Sequence, residues 1–179
     1  MKSLTHSFIA LLALTISFST MAQESYNPEK KLKEMGIEIK PPAPSVSKIV
    51  SAVRTGNLVF LSGHGPTRPD GTNVVGKLGA DLTVEQGQEA ARLTGIQLLT
   101  SLKAEIGDLN KVKRVVKVLG MVNSTPDFVQ SPAVINGFTD LMLEVFGEKK
   151  GKHARSAVSM VSLPNGIAVE IEMIVEIED

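Results

Sequence analysis

The final apolar stretch constrains this chain more than any other segment. From residue 169 onward, Val169, Ile171, Met173, Val175 and Ile177 alternate with Glu170, Glu172, Ile174, Glu176 and Glu178. Successive side chains of a β-strand point to opposite faces, so this period gathers one apolar row and one acidic row. The sheet containing it has one face on a core and one face left polar or open to solvent. Ile174 interrupts the acidic row; a subunit contact and a satisfied edge position both account for it.

The preceding segments supply the layer that covers the apolar row. Thr83-Val-Glu-Gln86 is a capping box, and the helix it opens carries Ala91, Gly95, Leu98, Leu102 and Ile106 at steps of three and four before Gly107. A second helix starts at Ser131-Pro132, repeats Ile135, Phe138, Met142 and Val145, and stops at Gly147. Residues 49–54 and 58–62 are strands joined through Thr55-Gly56-Asn57, a hairpin turn. Glycine and proline mark 63–79 as a loop around one short strand at 73–75. The β-branched run at 112–122 is a strand, with Val116, Val118 and Gly120 central to the sheet. A strand at 155–163 turns at Pro164-Asn-Gly166, read as a hairpin into the last strand. Hairpin, helix, strand, helix, hairpin, with one apolar stripe per helix, predicts an α+β fold: a mixed sheet with two helices packed on one face.

Ahead of this unit the chain changes character. Lys2, an apolar run over residues 8–18, and Ala22 with Thr20 two before it read as a secretory signal over residues 1–22, cleaved after Ala22. The run falls short of the ~20 residues a membrane-spanning helix needs, and no basic cluster stops it. The expectation is a periplasmic or secreted protein with no membrane attachment after cleavage. Residues 23–45 form an arm, with a short helix over 28–35 opened by Asn27-Pro28-Glu29 and an extended connector at Pro41-Pro-Ala-Pro44. Residues 46–179 form the single domain.

Composition removes several functional classes. With 0 Cys there is no disulfide framework, thiolate metal site or cysteine nucleophile. The 19 basic and 19 acidic side chains cancel, which argues against a general nucleic-acid binder. Lys111, Lys113, Arg114 and Lys117 could touch phosphates, but a solvated strand edge is the more economical reading. The domain's two histidines, His64 and His153, lie far apart in sequence and give no metal-ligand spacing.

Four segments, in order, resemble the Rid (YjgF/YER057c/UK114) family across residues 50–178. They are Gly56-Asn-Leu-Val-Phe-Leu-Ser-Gly63, Gly107-Asp-Leu, His153-Ala-Arg155-Ser-Ala-Val158, and Leu163-Pro164 leading to Val169-Glu170-Ile-Glu172. Asn136-Gly137, Val145-Phe146-Gly147 and the His-Ala-Arg-Ser motif are similar to a divergent branch of that family. The resemblance implies a chorismate-mutase-like two-layer sandwich and a homotrimer whose sheets form a central barrel. It implies ligand clefts between subunits, and hydrolytic deamination of reactive 2-imino and enamino acids to 2-oxoacids and ammonia without metal or organic cofactor. By the same resemblance Arg155 holds the substrate carboxylate, for which a guanidinium offers two parallel donors. Glu170 positions water and manages its proton. Ser62, Gly63 and the main-chain N–H of Ala157 line the cleft. His64, following Ser62-Gly63, is either a proton-exchanging group or a plain loop histidine.

This sequence departs from the active members' pattern at three points. Ala157 replaces a frequent Cys, Pro132 aligns with a cleft Asn while Asn136 lies one turn on, and the only Tyr is Tyr26 in the arm. A non-catalytic trimeric module that binds a small carboxylate is therefore the alternative to a deaminase.

Overall fold

A computed structural model describes residues 26–40 and 48–178 of the chain. The signal segment read at 1–22 and the prolines at 41–44 lie outside the described residues. Among the described residues no helix is long and apolar enough to cross a membrane. The elements are α1 (Pro28–Glu34), β1 (Ala52–Thr55), β2 (Leu58–His64), α2 (Val84–Ile106), β3 (Val112–Asn123), α3 (Ser131–Gly151), β4 (Ala154–Met160) and β5 (Val169–Ile177).

The local signals act as read at most termini. Thr83 Oγ1 accepts from Gln86 N at 3.3 Å and Gln86 Oε1 accepts from Thr83 N at 2.9 Å, so both capping-box bonds form at the start of α2. Thr55 pairs with Leu58 across a two-residue loop whose positive φ, 57°, falls on Gly56. The strand expected at 73–75 is reduced to single pairings of Thr67 with Asn73 and Val75 with Ile167.

The strand order is β1-β2-β5-β3-β4. Every neighbouring pair is antiparallel except β3 and β4, which run parallel. The expected hairpin between the last two strands does not form: β4 lies on the sheet edge and β5 threads between β2 and β3. The reason is the crossover. A helix joining two strands of one sheet returns the chain parallel to its start, so α3 delivers β4 beside β3. β5 then reverses into the remaining central slot. Pro164–Gly166 is a short 3-10 turn with Asn165 at φ 55°, and it carries the chain past the end of β3. A reversal was legible there; its partner strand was not.

Two further differences have local causes. The register of β3 on β5 shifts between Val115 and Lys117, so Val116 occupies a bulge and Val115 joins Val118 in the core. Gly147 (φ 71°, ψ 167°) interrupts α3 without ending it, and one more turn runs to Gly151. The Tyr26 ring covers that interruption, and its hydroxyl donates to the Glu144 carbonyl. Glu29 accepts from Lys103 Nζ at 2.9 Å and from Leu109 N at 3.2 Å, while Pro28 and Leu32 are buried. The described part of the arm is thus packed onto the domain.

The two long helices cover the apolar face of the sheet, α2 over β2 and β5 and α3 over β3 and β4. Leu98, Leu102, Phe138 and Met142 are fully buried over Val118, Ile171 and Val175. Burial of each such large side chain contributes roughly 1.5–3 kcal/mol. The helices approach closely because Gly137 faces Gln88: a Cβ on Gly137 would lie 2.0 Å from the Gln88 carbonyl oxygen. Main-chain atoms cannot rotate away, so Gly137→Ala should destabilise the fold by about 1–3 kcal/mol. A lower urea midpoint at unchanged m-value is the expected result.

Candidate active site

Arg155 stands on β4 opposite Val118, whose side chain is in the core, so it points to the helix side of the sheet. There it meets the first turns of α3. Its Nη1 donates to Asn136 Oδ1 at 2.9 Å and to Thr139 Oγ1 at 2.9 Å, and its Nη2 donates to the Pro132 carbonyl at 3.2 Å. Residues 132, 136 and 139 follow steps of four and three and share one helix face. That spacing was available in the sequence, yet Thr139 was not singled out. Burial draws the guanidinium pKa below its ordinary value, against the opposing charge of Asp140. A guanidinium has five N–H donors. Among the described residues Nε–H and one N–H on Nη2 have no acceptor, which leaves two donors that a carboxylate can take. Ala157 follows two residues on, opposite Gly120, and packs against the core from the edge strand.

Glu170 occupies the other side. It pairs with Met121 and alternates with the buried Val169 and Ile171, so its carboxylate lies on the face away from the helices. Two residues of β2, Ser62 and Gly63, stand opposite Glu172 alone, because the register shifts between Leu61 and His64. This bulge opens the space that Glu170 fills: a Cβ on Gly63 would lie 2.0 Å from Glu170 Oε1. Gly63 therefore leaves room for the carboxylate rather than for a ligand alone. Burial, and secondarily the charge of Glu172, push the Glu170 carboxyl above its ordinary 4.5. Ser62 donates to the Val50 and Ser51 carbonyls, both at 3.2 Å. Next to it, Phe60, Lys117, Glu172 and Ile174 line a cleft of about 320 Å³.

His64 joins neither group. After the bulge its side chain turns to the helix side at β2, where Nδ1 meets the Ser62 carbonyl at 2.7 Å and Nε2 meets Ser101 Oγ at 2.7 Å. A carbonyl only accepts, so Nδ1 carries the proton and Ser101 donates to Nε2. The ring ties β2 to α2. The named residues thus fall into three places: Arg155 and Ala157 beside α3, Ser62, Gly63 and Glu170 on the open face, and His64 beneath α2. Among the described residues no three metal-ligating side chains converge. Of the basic residues in and just before β3, Lys113 pairs with Glu176 at 2.7 Å, Lys111 donates to the Ile106 carbonyl at 2.9 Å and Lys117 to Ser156 Oγ at 2.8 Å.

The pattern of the family described as "YjgF/chorismate_mutase-like, putative endoribonuclease" matches residues 29–175. The chain belongs to the YjgF/Rid family. Protein TCP17 of Trypanosoma cruzi is 43% identical over 148 residues, 83% of this chain and 92% of that protein. Among solved structures, Atu1372 of Agrobacterium tumefaciens, a protein of unknown function, is 42% identical with a TM-score of 0.77, covering 86% of this chain and 96% of its own. A protein of Shewanella oneidensis described as a "putative endoribonuclease" is 28% identical with a TM-score of 0.79, covering 84% and 99%. The family match thus extends over both the Arg155 cradle and the Glu170 bulge.

The two histidines give this family member a specific acid response. Burial is the main cause holding both His64 and His153 below their ordinary 6.5, so the unfolded chain takes up protons first as pH falls. Their contribution is complete above 6.5 and is lost as pH drops below that value toward the folded-state pKa. Glu170 acts oppositely, because its raised folded-state value favours proton uptake by the native state above 4.5. Urea midpoints should fall between pH 7.5 and pH 5.5, and less steeply in His64→Asn.

Proposed function

We propose that this protein is a Rid-type hydrolytic deaminase of small 2-imino and enamino acids, working as a homotrimer with its clefts between neighbouring subunits. The observation that carries the reading is the Arg155 guanidinium, fixed on α3 with two donors left for a carboxylate. The substrate's carboxylate binds those donors, which presents its C=N carbon to water. Water adds to this carbon, a proton passes to nitrogen, and the resulting carbinolamine collapses to a 2-oxoacid and ammonia. A carboxyl with a raised pKa suits both proton movements, and Glu170 is such a group.

The sheet supports sharing between subunits. Arg155 and Glu170 lie on opposite faces and two strands apart, so one small substrate cannot touch both in a single chain. The open face also carries Val53, Phe60 and Val158 uncovered, with Ile174 paired to Phe60. A second and third copy would cover this apolar surface. Ile174 is then part of a subunit contact, and the signal-like pattern read at residues 1–22 supports a periplasmic or secreted trimer.

Ala157 in place of a family Cys favours the second reading, a trimer that binds small carboxylates without turning them over. One assay separates the two. With freshly generated iminopyruvate, 2-oxoacid release should exceed buffer, Glu170→Gln should lower kcat by about 10²–10⁴-fold, and Arg155→Ala should mainly raise KM. Carboxylate-dependent thermal shifts without any rate above buffer would instead select the binding module. Neither shift nor rate would contradict both readings.

A further inference from the structure

We propose that Thr139 is the positioning residue of the Arg155 anchor, with a neutral His153 fixing the direction of its hydroxyl; this rests on the reading of Arg155 as a carboxylate anchor. His153 Nδ1 lies 2.7 Å from the Gly151 carbonyl and must donate to it. Its Nε2 is therefore the acceptor, and it faces Thr139 Oγ1 at 3.3 Å. The threonine proton points to the ring, which leaves the oxygen's lone pairs for Arg155 Nη1 at 2.9 Å. The result is a one-way chain: guanidinium to hydroxyl, hydroxyl to imidazole, imidazole to main chain. Edge-to-face packing on Phe138, with centroids 5.8 Å apart, fixes the ring itself.

The chain of bonds decides which guanidinium edge a ligand meets. Asn136 and Thr139 take both Nη1 protons, so Arg155 cannot rotate to offer its Nη1 side. A carboxylate takes the remaining donors on Nε and Nη2. Protonation of His153 would remove the hydroxyl's acceptor and put a second cation beside the guanidinium. Burial and the charge of Arg155 both oppose that protonation. The charged groups acting on this cluster are Arg155 and, on Arg155, Asp140.

Thr139→Val keeps the side chain's shape and deletes its hydroxyl, whereas Thr139→Ser keeps the hydroxyl. With pyruvate as probe, calorimetry on the full-length protein should show about tenfold weaker binding in the valine variant and near-native binding in the serine variant. NMR titration should show His153 with a higher pKa in Thr139→Val, because its neutral form has lost a donor. Pyruvate affinity and His153 titration both unchanged by valine would overturn the proposal. If pyruvate binding depends on Arg155 but ignores Thr139, the anchor stands and the positioning role falls. If wild type does not bind pyruvate while His153 still responds to Thr139→Val, the bond chain stands and the anchor reading falls. Should the valine variant not fold, His153→Leu removes the hydroxyl's acceptor from one step further away and must weaken pyruvate binding; native affinity there would overturn the proposal.

Discussion

The sheet works as a partition, and β5 sets it. Its two-residue period is locked in place because the strand is paired on both sides, by β2 and β3. The apolar row must lie on the helix-covered face, beneath α2, so Glu170 must lie on the opposite face. Slipping β5 by one residue would bury a row of carboxylates, each at a cost of several kcal/mol. Arg155 is held as firmly on the helix side by the opening turns of α3. Neighbouring strands lie about 4.8 Å apart, so the crossing from β5 over β3 to β4 separates the two groups laterally as well. The proposed chemistry needs both, and a single chain keeps them apart.

Much of this was legible because local signals and global fold agree. The capping box at Thr83, the Gly56 turn and the Val169–Ile177 alternation are each decided by a few neighbouring residues. Strand partnership is not a local property. Pro164-Asn-Gly166 announces a reversal, yet whether β5 pairs with β4 or slides past it depends on α3 having already placed β4 at the edge. The same limit applied to β3, where one extra residue at Val116 changes which valines reach the core. Gly147, read as the stop of the second helix, does break it with a positive φ, but the helix resumes beyond it with Tyr26 over the gap.

The site shows a similar division. Arg155 and Glu170 were identified by family resemblance, and their placement follows from strand register. Thr139 could have been found from the spacing of 132, 136 and 139, since a helix face gathers those positions. His64 misleads in sequence because it directly follows Ser62-Gly63, which suggests a shared cleft. The bulge at that point reverses the alternation and sends the imidazole to Ser101 instead. The bulge has a second consequence, since it leaves the gap beside Gly63 that holds the Glu170 carboxylate. One irregularity thereby removes a histidine from the open face and seats an acid there. Lys113, Lys111 and Lys117, in turn, are engaged with a carboxylate, a carbonyl and a hydroxyl, which reduces their value as a phosphate-binding row.

Subunit mixing tests this account most directly. Arg155→Ala and Glu170→Gln chains, each strongly impaired alone at an iminopyruvate concentration well below the KM of Arg155→Ala, should regain 2-oxoacid release when unfolded and refolded together, because some clefts then combine an intact arginine with an intact glutamate. Activity that stays at the sum of the separate variants, in mixtures verified to contain both chains in one oligomer, would contradict a site divided by the sheet and completed by a neighbour.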